Sequence, residues 1–212
     1  MRQDAATALA LRVGGNQRQF VRAMNAKTRA LGMRRTVFKN PTGLPAAGQK
    51  TTARDMAALT RAYLRSHPSA QVFHRTRFFT HRGRTMRNTN ALLGTVAGVN
   101  GLKTGWTVAS GYNLIVTAQR GKTRLLAVVL GGSSRNARDG AARRLVEAGF
   151  RAPGSPQAVK SPGQAVTPPG ACPLRTPPQQ PYARGALPCP PGAASSPHGR
   201  PQKLTLVSRQ SP

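Results

Sequence analysis

The apolar and polar positions along this chain follow two different periods. Residues 17–31 (QRQFVRAMNAKTRAL) repeat at helical spacing. Phe20, Met24 and Leu31 share a face with Val21 and Thr28 beside it, and Arg18, Arg22 and Arg29 point away. Gly32 ends the run. A shorter alanine- and leucine-rich helix, residues 4–13, precedes it and stops at Gly14-Gly15. Thr52 and Asp55 spell a capping box that opens a helix to about Leu64, with Met56, Leu59 and Tyr63 inward and Pro68 as a stop. Ser134 caps a last helix to Ala148, with Ala137, Ala141 and Leu145 inward and Gly149 just past its end. The second period is that of strands. Residues 112–119 carry the branched run Leu114-Ile115-Val116-Thr117, and Arg120-Gly121 is a turn signal. Residues 123–130 (TRLLAVVL) form a continuous apolar run of strand length, which predicts burial on both faces. The two runs read as a hairpin in the middle of a sheet.

The segments between are less regular. Residues 36–45 (TVFKNPTGLP) read as a loop, residues 71–84 (QVFHRTRFFTHRGR) as a strand and a turn, and residues 88–94 (NTNALLG) as a turn-and-helix lead-in. From residue 151 the periodicity vanishes, and 15 of the 18 prolines fall in residues 151–212. The chain thus divides into an ordered unit, residues 1–150, and a proline-rich tail, residues 151–212, expected to be a disordered or polyproline-like linker. Residues 205–207 (TLV) are too short to build a domain. Cys172 and Cys189 both lie in the tail, where a disulfide and two free thiols remain equally open readings.

Charge narrows the choice of partners. The formal net charge is +29, and the only acids are Asp4, Asp55, Asp139 and Glu147. Such a surface attracts polyanions, whether nucleic acid, acidic lipid or an acidic cell-wall polymer, without choosing among them. No apolar window approaches the roughly 18 residues needed to span a membrane. The N-terminus shows no apolar core of signal-peptide type. His74 and His81 fit no zinc spacing and have no cysteine or acid beside them, so no metal and no cofactor is expected.

The candidate chemistry is concentrated in residues 98–118 (GVNGLKTGWTVASGYNLIVTA). Lys103-Thr104-Gly105 opens a strand there. At a strand edge the Lys103 ammonium supplies positive charge for a carboxylate, and the Thr104 hydroxyl adds a short donor. Gly105 removes the side chain that would keep an extended peptide from pairing. The competing reading is a lysine and a glycine that end a surface turn.

Seven segments, taken in order, carry a family resemblance: DAATALA, FVRAMNAKTRALGM, TVFKNPTGLP, TTARDMAALTRAYL, NTNALLG, the Lys-Thr-Gly stretch and SSRNARDGAARRLVEAGF. Over roughly residues 3–150 the chain resembles the second half of the penicillin-binding-protein (beta-lactamase-like) fold, in the serine-type D-alanyl-D-alanine carboxypeptidase family. The resemblance implies an α/β (α+β) architecture, with helices packed on a mainly antiparallel sheet. It implies acyl transfer on peptidoglycan stem peptides ending in D-Ala-D-Ala, outside the cytoplasm. The family's chemistry uses a Ser-x-x-Lys helix, a Ser-x-Asn turn and the Lys-Thr-Gly strand. Only the third is intact, because Met1 and Gln3 occupy the Ser-x-Asn slot before Asp4-Ala5-Ala6. Thr36-Val37-Phe38-Lys39 and Ser134-Arg135-Asn136 have the spacings of the other two motifs, but they sit in a loop and after the strand, and are rejected as substitutes. By resemblance Lys103 and Thr104 hold the substrate carboxylate, Gly105 admits the peptide, and the Trp106 N–H forms half of an oxyanion hole. With no nucleophile or base, the expectation is a truncated domain inactive by itself. The alternative is a non-catalytic basic protein that binds anionic polymer, cell wall or nucleic acid, through its arginines and Phe73, Phe78 and Phe79. A sheet that has lost neighbouring strands is further expected to aggregate.

Overall fold

A computed structural model describes residues 3–152 and 205–210. Two helices come first, α1 (Gln3–Gly14) and α2 (Gln17–Ala30), and pack on each other. Gly14 lies so close to Phe20 that a Cβ there would sit 2.7 Å from the Phe20 Cβ. The α2 face predicted from the sequence is only half covered, and Thr28 is its one buried residue. Asn25 ties this pair to the loop beyond it. Its Nδ2 donates to the Phe38 carbonyl at 2.8 Å, and its Oδ1 accepts from the Phe38 N–H at 2.9 Å.

Helix α3 (Ala53–Ser66) starts where the Thr52 cap places it, with the Thr52 hydroxyl accepting from the Asp55 N–H at 3.2 Å. The other half of the predicted capping box is not made. The Asp55 carboxylate turns instead to the preceding loop, where it accepts from the Arg35 N–H at 2.9 Å and the Thr36 hydroxyl at 2.7 Å. A buried carboxylate with two donors fixes a loop more firmly than a surface cap would fix a helix end. The most buried face of α3 is also narrower than predicted. Ala53, Ala57 and Thr60 are buried while Met56, Leu59 and Tyr63 are half-buried, because small residues let the helix approach the sheet closely.

Residues 71–84 depart from the expected strand and turn. Pro68–Ala70 forms a 3-10 turn that runs into a five-residue helix, α4 (Gln71–Arg75). Only then does a small ribbon begin, β1 (Phe78–His81) and β2 (Arg84–Arg87), joined at Arg82-Gly83. Residues 91–97 form turns rather than a helix.

The main sheet is antiparallel, with the order β3-β4-β5-β6: β3 (Val99–Thr107), β4 (Gly111–Arg120), β5 (Thr123–Gly132) and β6 (Thr205–Gln210). On one face Leu114, Val116, Ala118, Leu125, Ala127 and Val129 join Leu92, Val96, Ala142, Leu145 and Val146 in the larger core. On the other, Leu126 and Val128 meet Ala53 and Ala57. The apolar run of β5 is therefore buried on both faces, as its composition predicts. Helix α5 (Arg135–Arg151) covers the larger core and is capped by the Ser134 hydroxyl, which accepts from the Ala137 N–H at 3.0 Å. Its inward face keeps the predicted Leu145, with Ala141 packed on the core, and adds Arg138, Ala142 and Val146, and the helix runs past Gly149. Arg120 anchors it to the sheet with a paired contact to Glu147 at 3.0 and 2.6 Å and a ring contact with Phe150 at 4.2 Å.

Strand β6 corrects the reading of the chain's end. Residues 205–210 do not build a domain, but they pair with β5 along its free edge, from Arg124↔Gln210 to Val129↔Thr205. Short strands are invisible to periodicity, whereas an apolar edge offers any extended segment a row of unpaired hydrogen-bonding groups. Cys172 and Cys189 lie outside the described residues. Deleting residues 201–212 should uncover the β5 edge, so the shortened chain is expected to melt at lower temperature and self-associate in light scattering. Unchanged melting and unchanged size would show that β6 does not protect that edge.

Candidate functional site at the outer edge of β3

Among the described residues, strand β3 pairs with β4 along one side only, in the register Leu102↔Val116, Lys103↔Ile115, Thr104↔Leu114, Gly105↔Asn113 and Trp106↔Tyr112. The first half of its outer edge is covered by α4. Gln71 Nε2 donates to the Asn100 carbonyl at 2.6 Å, and the His74 ring bonds the Leu102 backbone. Backbone groups alternate between the two edges of a strand, so the outward series Asn100 and Leu102 continues with Thr104 and Trp106. Helix α4 ends before that point. Among the described residues no strand covers the edge from Lys103 to Thr107.

The two glycines ahead of Lys103 make this arrangement possible. At Gly101, φ is +129° and a Cβ would sit 2.7 Å from the His74 carbonyl oxygen, so only glycine lets α4 close on the strand. At Gly98, φ is +80° and a Cβ would meet the Gln119 carbonyl. His74 itself is held by the Tyr63 hydroxyl, 2.9 Å from Nε2, with the two rings edge-on. Burial lowers its pKa below the ordinary 6.5, partly offset by the Leu102 backbone bond.

All four predicted residues of the strand stand together on the open stretch. Lys103 and Gly105 share the sheet face of Ile115, and Thr104 and Trp106 the opposite one. The Lys103 ammonium folds back onto the Thr104 carbonyl. Much of that side chain reaches solvent, but the protein around the ammonium strips enough water to push its pKa below the ordinary 10.5. An under-hydrated cation beside open backbone is suited to an anionic group. Thr104 is oriented by a neighbour that sequence reading missed: its hydroxyl lies 2.7 Å from that of Thr89. A Cβ at Gly105 would meet nothing within 4 Å, so the missing side chain leaves free space. Trp106 is 55% exposed and packs against Tyr112 at 5.8 Å. Asn113, opposite Gly105, holds the far end by accepting from the Gly131 N–H at 2.9 Å and donating to Ser110 at 2.9 Å.

The other sequence candidates fall elsewhere. Met1 lies outside the described residues, and Gln3 opens α1. Thr36 is buried and bonded to Asp55 and Thr51, and Ser134 caps α5, so neither is free to act as a nucleophile. His81 lies on the ribbon, stacked on Phe79. Among the described residues no three His, Cys, Asp or Glu side chains gather as a metal set, and no helix is long and apolar enough to cross a membrane.

Comparison with known proteins fits this geometry. The family profile described as D-alanyl-D-alanine carboxypeptidase matches residues 2–134. The D-alanyl-D-alanine carboxypeptidase DacC of Escherichia coli (strain K12) is 40% identical over 149 residues, 70% of this chain and 37% of that protein. The chain thus spans little more than a third of the length of the curated relatives it matches. Among solved structures, penicillin binding protein 5 from Haemophilus influenzae aligns at TM-score 0.66 and 34% identity, over 70% of this chain and 44% of that one. Penicillin binding protein 6B from Escherichia coli aligns at TM-score 0.65 and 40% identity, over 70% and 47%. The fold is a mixed helix and antiparallel-sheet arrangement of the penicillin-binding-protein type.

Two consequences are measurable. Gly101→Ala is expected to lower unfolding stability by about 2 kcal/mol or more, since it combines positive φ with a backbone clash; a change under about 0.5 kcal/mol would contradict the close approach of α4. The His74 contribution to stability is fully present above pH 6.5 and declines as pH falls through the lowered native pKa, because the unfolded chain takes up the proton first. His74→Gln should flatten the acid side of a plot of melting temperature against pH, and an unaltered slope would remove His74 from the account.

Proposed function

The chain belongs to the D-alanyl-D-alanine carboxypeptidase family, and from that premise we propose that the outer edge of β3 receives the D-alanyl-D-alanine end of a peptidoglycan stem peptide. The observation that carries this reading is the edge itself, covered by α4 as far as Leu102 and open from Lys103 onward. An extended peptide adds there as a further strand, using the outward backbone groups of Thr104 and Trp106. The Lys103 ammonium leaves the Thr104 carbonyl to pair with the terminal carboxylate, a charge-assisted contact stronger than the one it replaces. The Thr104 hydroxyl, held by Thr89, supplies a second donor, and the space above Gly105 takes the penultimate residue. The Trp106 N–H is one donor toward the oxyanion that forms at the scissile carbonyl.

Hydrolysis in this family proceeds by serine attack with a lysine base, followed by release of the acyl group to water. The 212 residues contain no Ser-x-x-Lys. The half of the reaction carried by this chain is therefore substrate holding, and covalent acyl transfer requires a nucleophile and a base that it does not supply. Its place of action is where stem peptides are, outside the cytoplasm. No cofactor enters this chemistry.

Trp106 is the only tryptophan and lies on the strand, so its emission reports binding directly. A peptide ending in D-Ala-D-Ala acid is expected to give a saturable change. Its C-terminal amide and Lys103→Gln should each weaken binding about tenfold or more. Binding should also fade as pH rises, beginning short of 10.5, because the Lys103 ammonium loses its proton at a lowered pKa. A fluorescent penicillin should leave no covalent label on the chain. Equal affinity for acid and amide would reject the carboxylate site, and stable penicillin labelling would reveal a nucleophile elsewhere in the sequence.

A further inference from the structure

The β1–β2 ribbon is the least covered part of the described structure. All residues of both strands are exposed, and neither strand shares an extensive packing surface with another named element. Its side chains are not those of an ordinary solvated hairpin. Phe78 is 55%, Phe79 57% and Met86 53% exposed, and the adjoining α4 adds Val72 at 51% and Phe73 at 77%. These five large apolar side chains fall within 15 consecutive positions. The register sets Phe79 opposite Met86 on one face and Phe78 opposite Arg87 on the other.

The charge of the same segment is equally one-sided. Arg75, Arg77, Arg82, Arg84 and Arg87 are exposed, and Arg77 lies 5.8 Å from the Phe78 ring centre. The sequence contains no acidic residue between Asp55 and Asp139, so no carboxylate within the segment offsets them. Apolar and cationic side chains are thus interleaved along one projecting element.

Three kinds of surface would complement part of this. A neutral glycan needs paired polar donors and acceptors, but the amide side chain here, Gln71, already donates to Asn100. Single-stranded nucleic acid would satisfy the arginines and stack on the rings, leaving Val72 and Met86 against water. An anionic lipid interface meets every group at once, with phosphates for the arginines and acyl chains just beneath for the phenylalanines, Val72 and Met86. We propose that α4 and the β1–β2 ribbon form a docking surface for an anionic bilayer, entered shallowly by the apolar side chains while the arginines stay among the head groups. Because α4 also covers the inner half of the β3 edge, docking sets the open stretch beside the membrane surface. The inference does not depend on what that edge binds.

Co-sedimentation of the full chain with vesicles of phosphatidylglycerol and phosphatidylcholine, against phosphatidylcholine alone, tests it. A chain this basic should bind anionic vesicles at low salt whatever its shape, so the informative quantity is binding that survives about 0.5 M salt, where the Debye length is only a few ångströms. Phe78→Ser with Phe79→Ser leaves the charge unchanged and is expected to lower salt-resistant partitioning about tenfold. Arg18→Gln with Arg22→Gln, on exposed α2, should leave it intact. Phe79→Trp should show blue-shifted emission with anionic vesicles and none with neutral ones. Circular dichroism confirms that each variant keeps its fold. The proposal is overturned if the double serine variant retains salt-resistant binding. It is equally overturned if a single-stranded oligonucleotide, and not vesicles, shifts the Phe79→Trp emission.

Discussion

The structure depends on burying β5 from both faces. Leu125, Ala127 and Val129 face α5, and Leu126 and Val128 face α3. With β5 fixed between two helices, β4 follows by register and β3 follows β4. The site inherits its rigidity from this order, since among the described residues β3 itself has one strand neighbour. Apart from Thr117, whose hydroxyl donates to the Gly101 carbonyl, the burial of β5 and β4 is apolar, so a further polar substitution there would act on the site without touching it.

A second constraint decides where the site opens. Helix α4 is short and has no cap, and it stays in place through what it touches: Tyr63 on His74, Gln71 on Asn100, and the bare backbone at Gly101. One element thus covers the outer edge through Leu102 and releases it at Lys103. The lysine is held beside its own backbone, partly stripped of water, with its charge poorly compensated. Protein around a cation costs solvation, and an incoming carboxylate restores what was lost. Thr89 and Asn113 add orientation on either side of the strand without contributing charge.

Much of this was readable in the sequence, for local reasons. The β4–β5 hairpin, the Ser134 cap and the Lys103-Thr104-Gly105 strand are each signalled by residues close in the chain. The misreadings are non-local. Asp55 abandons the capping box for Arg35 and Thr36, some twenty positions earlier. Residues 71–75 become a helix because His74 and Gln71 find partners on Tyr63 and β3, which outweighs a weak local alternation. The α5 face is broader than predicted, adding Arg138, Ala142 and Val146 to Leu145 where the helix follows the sheet it covers. Strand β6 has too few residues to show a period and is defined only by the edge it joins. Thr89 carried no signal at all, since a threonine ahead of a turn becomes informative only when the fold sets it against Thr104.

The central claim is that β3 is paired inward at Lys103 and Gly105 and open outward at Thr104 and Trp106. Residue-resolved hydrogen exchange of the native chain measures this directly. Slow exchange of the Lys103 and Gly105 amides, alternating with fast exchange at Thr104 and Trp106, is the predicted pattern. Uniform protection along residues 103–106, or uniform rapid exchange, would mean that the edge is covered or that the strand is not held, and either result would contradict the account.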